Sequence, residues 1–174
     1  DGKTIFSSPK PTSLIKYLLN FVPNKEAIIL DFFAGSSTTA DAVLQLNAED
    51  GGYRKYIMVQ LPEATKINSN AYEAGYTSID QFSRTRIEKV AAKIKSNDSF
   101  FVQEQDLGFK HYYIVEPSKK TLDKLDFDNE MQLDIFDDMI SAFSSVNLDV
   151  KGNAEGFDTI LQTYLVSDGY KFDV

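Results

Sequence analysis

Ala27-Ile28-Ile29-Leu30-Asp31-Phe32-Phe33-Ala34-Gly35-Ser36-Ser37-Thr38-Thr39-Ala40 is the stretch that decides the fold. Its apolar run, closed by an Asp, suits a strand buried on both faces of a parallel sheet, where polar alternation disappears because neither face meets water. The small residues that follow predict a turn. A helix from Thr38 to Leu46, closed by Asp50-Gly51-Gly52, comes next. Working outward, Pro11 to Val22 reads as a short helix, with Leu14, Ile15, Leu18 and Leu19 on one face. Downstream, Tyr56-Ile57-Met58-Val59-Gln60 is a second buried strand stopped by Pro62. Ser78 and Gln81 carry the spacing of a capping box ahead of a long helix. The apolar stripe of that helix is Ile79, Phe82, Ile87, Val90, Ala91 and Ile94. Asp106 to Val115 is a third strand candidate, ended by Glu116-Pro117.

Strand alternating with helix is the pattern of right-handed crossovers around a parallel sheet, so the expected class is α/β. Two domains are expected: residues 1–117 around the sheet, and an acidic, mainly helical extension over residues 118–174. Within the extension, Met131 to Phe143 and Gly156 to Leu165 read as helices, with Met139, Ile140, Phe143, Leu161, Tyr164 and Leu165 as core-facing positions.

The chemistry is expected at the turn after Phe33. Where a strand hands over to a helix, small residues let a ligand approach the backbone, and amides at the helix start face a polar or anionic group. An acidic strand end can accept hydrogen bonds from nucleoside hydroxyl or amino groups. The turn lacks the Gly-x-Gly-x-x-Gly spacing of dinucleotide sites and the Lys of a P-loop. With no Lys or Arg to meet a pyrophosphate, a cofactor of little negative charge is favoured, and S-adenosylmethionine fits. A helix-entry turn with no ligand is the alternative reading.

Composition narrows the rest. The 174 residues hold no Cys and one His, His111, which excludes a disulfide framework, a thiol nucleophile and a Cys/His zinc cluster. The formal net charge is −8, and acidity concentrates in the last third, at Asp123, Asp126, Asp128, Glu130, Asp134, Asp137 and Asp138. A surface that grips DNA needs clustered Lys and Arg, so this chain alone is expected to bind DNA poorly. No membrane-length apolar run is present, and cytoplasmic residence is expected. The opening Asp1-Gly2-Lys3-Thr4 has neither an initiator Met nor signal-peptide character, which predicts a piece of a longer protein.

Asp31-Phe32-Phe33-Ala34-Gly35-Ser36-Ser37-Thr38-Thr39-Ala40 resembles the Asp-Phe-Phe-Ala-Gly-Ser-Gly-Thr-Thr cofactor motif of amino-methylating DNA methyltransferases. Ser8-Pro9-Lys10-Pro11-Thr12-Ser13-Leu14 resembles the Lys-Pro-x-x-Leu motif that precedes it in the β-ordered group. The segment Asn47 to Glu63 resembles the modification subunits of type III restriction–modification systems, and the similarity runs from Phe6 to Lys95. The resemblance implies a partial Rossmann-like, S-adenosylmethionine-dependent methyltransferase sheet and methylation of adenine N6 in DNA. Asp31, Phe33, Gly35, Ser36, Thr38 and Thr39 would line the methionine and ribose side of S-adenosylmethionine. Lys10, Pro11 and Leu14 would close over the methionine end. Gln60 or Glu63 would hold the ribose hydroxyls. Ser37 departs from the motif's second Gly, and strain is expected if that position needs a positive φ.

Such enzymes flip the target base out and hold its amino nitrogen with an Asp- or Asn-Pro-Pro-aromatic motif. None of the five Pro residues adjoins another, so that motif is absent from this sequence. The expectation is a chain that helps bind the methyl donor and cannot methylate alone; a degenerate homologue is the alternative. DNA and a restriction subunit are the implied partners of the intact protein. A sheet left with an open edge and an apolar face predicts self-association or packing on the helical tail. Two readings from other classes stay open: a non-catalytic module docking a restriction subunit, and an α/β domain binding another nucleoside.

Overall fold

A computed structural model describes residues 9–96, 105–116, 139–150 and 152–171. The described residues fall into two compact units, divided between Gly108 and Phe109.

The first unit is α/β. In chain order it holds α1 (Thr12–Leu19), β1 (Ile28–Asp31), α2 (Thr38–Asp50), β2 (Lys55–Met58), α3 (Asn70–Glu73) and α4 (Ile79–Lys95). Strands β1 and β2 pair in parallel, with Ile28 opposite Lys55 and Asp31 opposite Met58. Backbone bonds carry the ladder beyond the strands, from Tyr53 N to Lys25 O at 2.8 Å through Val59 N to Asp31 O at 2.8 Å and Ala34 N to Val59 O at 3.1 Å. Parallel neighbours need a crossover, and α2 is that crossover.

Helix α2 is the core. Ala40, Ala42, Val43, Leu44 and Leu46 are buried, together with polar Thr38, Asp41 and Asn47. It packs against α1, α4 and β2. Gly51 ends it in the left-handed region (φ 67°), its amide bonding to Asn47 O at 2.9 Å, a conformation that Gly adopts without a Cβ penalty.

Four expectations need correction. The strands are not buried on both faces: Ile28 and Leu30 are each 59% exposed and Ile57 is 50% exposed, because helices cover only the face bearing Ile29, Asp31, Tyr56 and Met58. Residues 106–115 form no strand. Gly108 N bonds to Asp106 Oδ1 at 2.9 Å, a local turn that takes the backbone off any ladder, and only Leu107 is buried there. Ser78 does cap α4, but without a side-chain bond to the helix. Gln81 Oε1 reaches past it and accepts from Thr77 N at 3.0 Å and Thr77 Oγ1 at 3.2 Å. Finally, the buried stripe of α4 is Asp80, Ser83, Ile87, Ala91 and Ile94. Polar residues take the first two inward positions, since this end of the helix meets the polar turn after β1 rather than the core. Phe82 packs edge-on against Tyr76 instead, with ring centroids 5.5 Å apart.

Burial also acts on Tyr56 in β2. Its hydroxyl lacks a hydrogen-bond partner, and desolvation, aided by the negative charge of Asp106, pushes its pKa up to about 12.

The second unit contains α5 (Gly156–Ser167). Residues 139–141 are helical, and the rest of the expected Met131 to Phe143 helix lies outside the described residues. Of its expected core-facing positions, Leu161 and Tyr164 are exposed and Leu165 is half-buried. At the start of the helix Gly156 lies against the Ile140 carbonyl: a Cβ there would stand 1.7 Å from Ile140 O, so only a glycine admits this close approach. Among the described residues no helix is long and apolar enough to cross a membrane.

Candidate functional site

The turn between β1 and α2 is bonded on every side. Gly35 takes a positive φ of 51°, and Ser37 N closes the turn onto Ala34 O at 2.7 Å. Gly35 N donates to Gln60 Oε1 at 2.6 Å, while Ser83 of α4 donates its hydroxyl to Gly35 O. The Ser37 backbone lies in the left-handed region, φ 55° and ψ 37°, where an L-residue other than Gly is strained by its Cβ. Its hydroxyl is buried and has no hydrogen-bond partner. The departure from Gly at this position therefore carries a conformational and a desolvation penalty.

Asp31, at the end of β1, is fixed from two directions. Oδ1 accepts from Phe33 N at 3.1 Å and Oδ2 accepts from Thr39 Oγ1 at 2.6 Å. Phe33 is 83% exposed, beside Phe32 with ring centroids 5.1 Å apart. Ser36 and Thr38, by contrast, are buried, their hydroxyl oxygens 3.1 Å apart. Both accept hydrogen bonds from Arg86 Nη1, at 3.1 Å and 3.0 Å.

Arg86 is a residue that periodicity does not single out. From α4 it also meets Asp41 Oδ2 in a two-pronged pair, Nε at 3.0 Å and Nη2 at 2.8 Å. Asp41 accepts from Gln45 Nε2 at 2.6 Å through its other oxygen. A planar guanidinium with five N–H donors suits this kind of multi-point grip. The signal that could have found the pair is Asp41 itself, an acid inside the otherwise apolar run Ala40-Asp41-Ala42-Val43, which demands a cation once buried. Nothing in the sequence says which of its 18 Lys and Arg residues is that cation.

Helix α1 joins the same cluster. Thr12, its first residue, stands with Oγ1 3.3 Å from Asp41 Oδ2, and Arg86 Nη2 donates to Thr12 Oγ1 at 3.2 Å. Pro11 caps the helix in extended conformation and Lys10 precedes it, both exposed. Leu14 is 46% exposed. The segment bearing Lys10-Pro11 and the turn after β1 are thus brought to one end of α2. The two strand-end candidates part ways: the Gln60 amide is taken up by Gly35 N and, through Nε2, by Leu61 O at 3.0 Å. Glu63 is exposed, its carbonyl accepting from Ile79 N at 2.9 Å where α4 begins.

Similarity to known proteins bears on what this arrangement belongs to. Residues 1–66 match the family described as DNA methylase. The chain is 46% identical to the Mod subunit of the type III restriction-modification enzyme StyLTI of Salmonella typhimurium, over 99% of this chain and 28% of that protein. It is 33% identical to the EcoPI Mod subunit of Escherichia phage P1, over 97% of this chain and 24% of the relative. The type II methyltransferase M.KpnI of Klebsiella pneumoniae is 37% identical over 52% of this chain and 22% of its own length. The chain thus spans about a quarter of the length of these curated relatives. With its turn, strand-end acid and packed first helix, the chain belongs to the DNA methylase family that includes the modification subunits of type III restriction–modification enzymes.

Proposed function

We propose that this chain is the part of a type III modification enzyme that seats S-adenosylmethionine for methylation of adenine N6 in DNA. The observation that carries the reading is the meeting, at the start of α2, of the Gly35 turn, the strand-end Asp31 and the Lys10-Pro11 segment, linked by Thr12, Asp41 and Arg86. The residues present suit the donor: no basic side chain is left over at the turn, since Arg86 is paired with Asp41, and the first amides of α2 have no intrahelical acceptors. When bound, the donor supplies a methyl group on a sulfonium.

The side chains divide the work. Asp31, oriented by Thr39 and the Phe33 amide, accepts from the polar groups of the nucleoside, and exposed Phe33 packs on its apolar surface. Lys10, Pro11 and Leu14 close over the methionine end. Glu63, rather than Gln60, takes the ribose hydroxyls, a choice supported by the two bonds that already occupy the Gln60 amide. Gln60, Ser36, Thr38 and Thr39 hold the frame in which Gly35 keeps the backbone open. Grip on the target amino group falls to a Pro-Pro-aromatic motif that this sequence does not contain.

DNA and a restriction subunit are the proposed partners of the whole enzyme, acting in the cytoplasm. The acidic C-terminal extension, residues 118–174, is the segment assigned to contact with the restriction partner. Calorimetric titration with S-adenosylmethionine and with ATP tests the donor assignment. Donor binding, weakened about tenfold or more by Asp31→Ala, is the expected result. Binding of ATP without binding of the donor would overturn it.

A further inference from the structure

Arg86 is bonded to more of the site than any ligand-facing candidate, and it touches residues 74, 50, 48 and 45 positions away. Its acceptors come from α1 (Thr12), the turn (the hydroxyl and carbonyl of Ser36) and α2 (Thr38 and Asp41). Other side chains tie these pieces two at a time, Lys16 to Glu49 between α1 and α2 and Ser83 to the Gly35 carbonyl between α4 and the turn, whereas Arg86 meets acceptors on α1, the turn and α2 together. A single planar fork with fixed donor directions sets the three pieces relative to one another, because its acceptors must lie in one arrangement to be met together.

We infer that Arg86 is a positioning residue for the methyl-donor seat, acting through Ser36, Thr38 and Thr12 without touching the donor. The inference rests on the donor reading above for its functional consequence, but its structural content stands apart from it. The hydroxyls of Ser36 and Thr38 act as acceptors that fasten the turn to α4, and Thr12 fastens the Lys10-Pro11 segment to the same guanidinium. The site consequently opens or tightens as one body. Lys at position 86 would keep the charge opposite Asp41 yet could not span the acceptors, since an ammonium is a compact point charge without the fork.

The test uses the full chain as wild type, Arg86→Lys, Arg86→Gln and Thr12→Val, read by amide hydrogen exchange and by calorimetric titration with S-adenosylmethionine. In Arg86→Lys, exchange over residues 34–40 should rise about tenfold while the C-terminal half of α4 keeps its protection, with donor affinity falling by a similar factor. Thr12→Val should loosen α1 alone and weaken the donor about threefold. Wild-type protection of the turn in Arg86→Lys would overturn the inference, and so would protection lost evenly throughout the unit, which marks a merely structural ion pair. If Arg86→Gln fails to fold, Arg86→Lys and Thr12→Val decide. A wild-type chain that ignores the donor while Arg86→Lys still loosens the turn defeats the donor reading and keeps the positioning role. Donor binding unchanged by Arg86→Lys does the reverse.

Discussion

The two ends of α2 each hold an arginine paired with an aspartate, the buried Arg54 at one and the half-buried Arg86 at the other, and they are built in opposite ways. At the C-terminal end Arg54 meets Asp50 in a two-pronged pair, 3.0 Å on each side, four residues apart in sequence. Asn47 completes that clasp by accepting from Arg54 N at 3.2 Å and donating to Arg54 O at 2.9 Å. Gly52 adds its amide to Asp50 Oδ1 at 3.0 Å. All of it lies within eight residues of chain. At the N-terminal end the Arg86 cluster gathers residues from four separate segments and sits over a strained Ser37 with a buried, unpartnered hydroxyl. One cluster closes a helix; the other assembles a site. Each end leaves one buried polar atom without a partner, the Ser37 hydroxyl and Arg54 Nε, but the left-handed backbone falls on a serine at the N-terminal end and on Gly51 at the clasp, so backbone strain gathers only where a ligand is expected.

The contrast can be broken at several points. The largest effect is expected at the N-terminal end: Asp41→Asn leaves Arg86 without its charge partner and should lower unfolding free energy by about 3 kcal/mol in denaturant titration. A loss under about 1 kcal/mol would place the clusters on an equal, minor footing. Next, Asn47→Ala strips the clasp of its buried hydrogen bonds and should cost about 2 kcal/mol. The two sites lie about 9 Å apart along the helix, so the double variant should be additive within about 0.5 kcal/mol. Strong coupling would show that α2 transmits between its ends.

Ser37→Gly should move the other way, gaining about 1 kcal/mol by relieving the left-handed backbone and removing the unpartnered hydroxyl. A loss would mean that the buried side chain packs well enough to outweigh both penalties. The smallest effect is a pH dependence at the clasp. The Arg54 hydrogen bond, helped by the Gly52 amide and the positive charges of Arg54 and Lys25, outweighs desolvation and holds the Asp50 carboxyl below its ordinary 3.8. Stability from this pairing is therefore fully present above pH 4 or so and disappears as pH falls through the lowered folded value. Arg54→Met should flatten that acid limb of the unfolding profile. An unchanged limb would show that the clasp contributes through geometry alone.

How much of this was legible in advance follows the same division. The parallel pair, the crossover helix and the left-handed closure at Gly51 could be read from the apolar run at Ala27, the turn residues 34–37 and Asp50-Gly51-Gly52. The strain at Ser37 could be named before its φ was known, because one residue departs from a glycine motif. The open face of the sheet, with Ile28 and Leu30 outward, could not be read as open, since an apolar run looks the same whether one face or both are covered. Residues 106–115 misled for a related reason: β-branched and aromatic content predicts a strand only if a neighbour supplies the ladder, and the Asp106 turn turns the chain aside.

Sequence by itself determined the local pieces: which segments form the main helices of the first unit, though their ends fall at Leu19 and Asp50 rather than Val22 and Leu46, which turn must be small, and which family motifs stand in which order. Their period and capping chemistry act over a few residues and need no tertiary partner. Only the tertiary structure decided that Arg86 rather than Arg84 answers Asp41, that Gln60 is occupied by Gly35, and that Ser36 and Thr38 turn inward. Those are choices among chemically equivalent donors and acceptors far apart in the chain. They are settled by which ones the packing of α1, α2 and α4 brings within about 3 Å of each other, a distance that no residue type encodes.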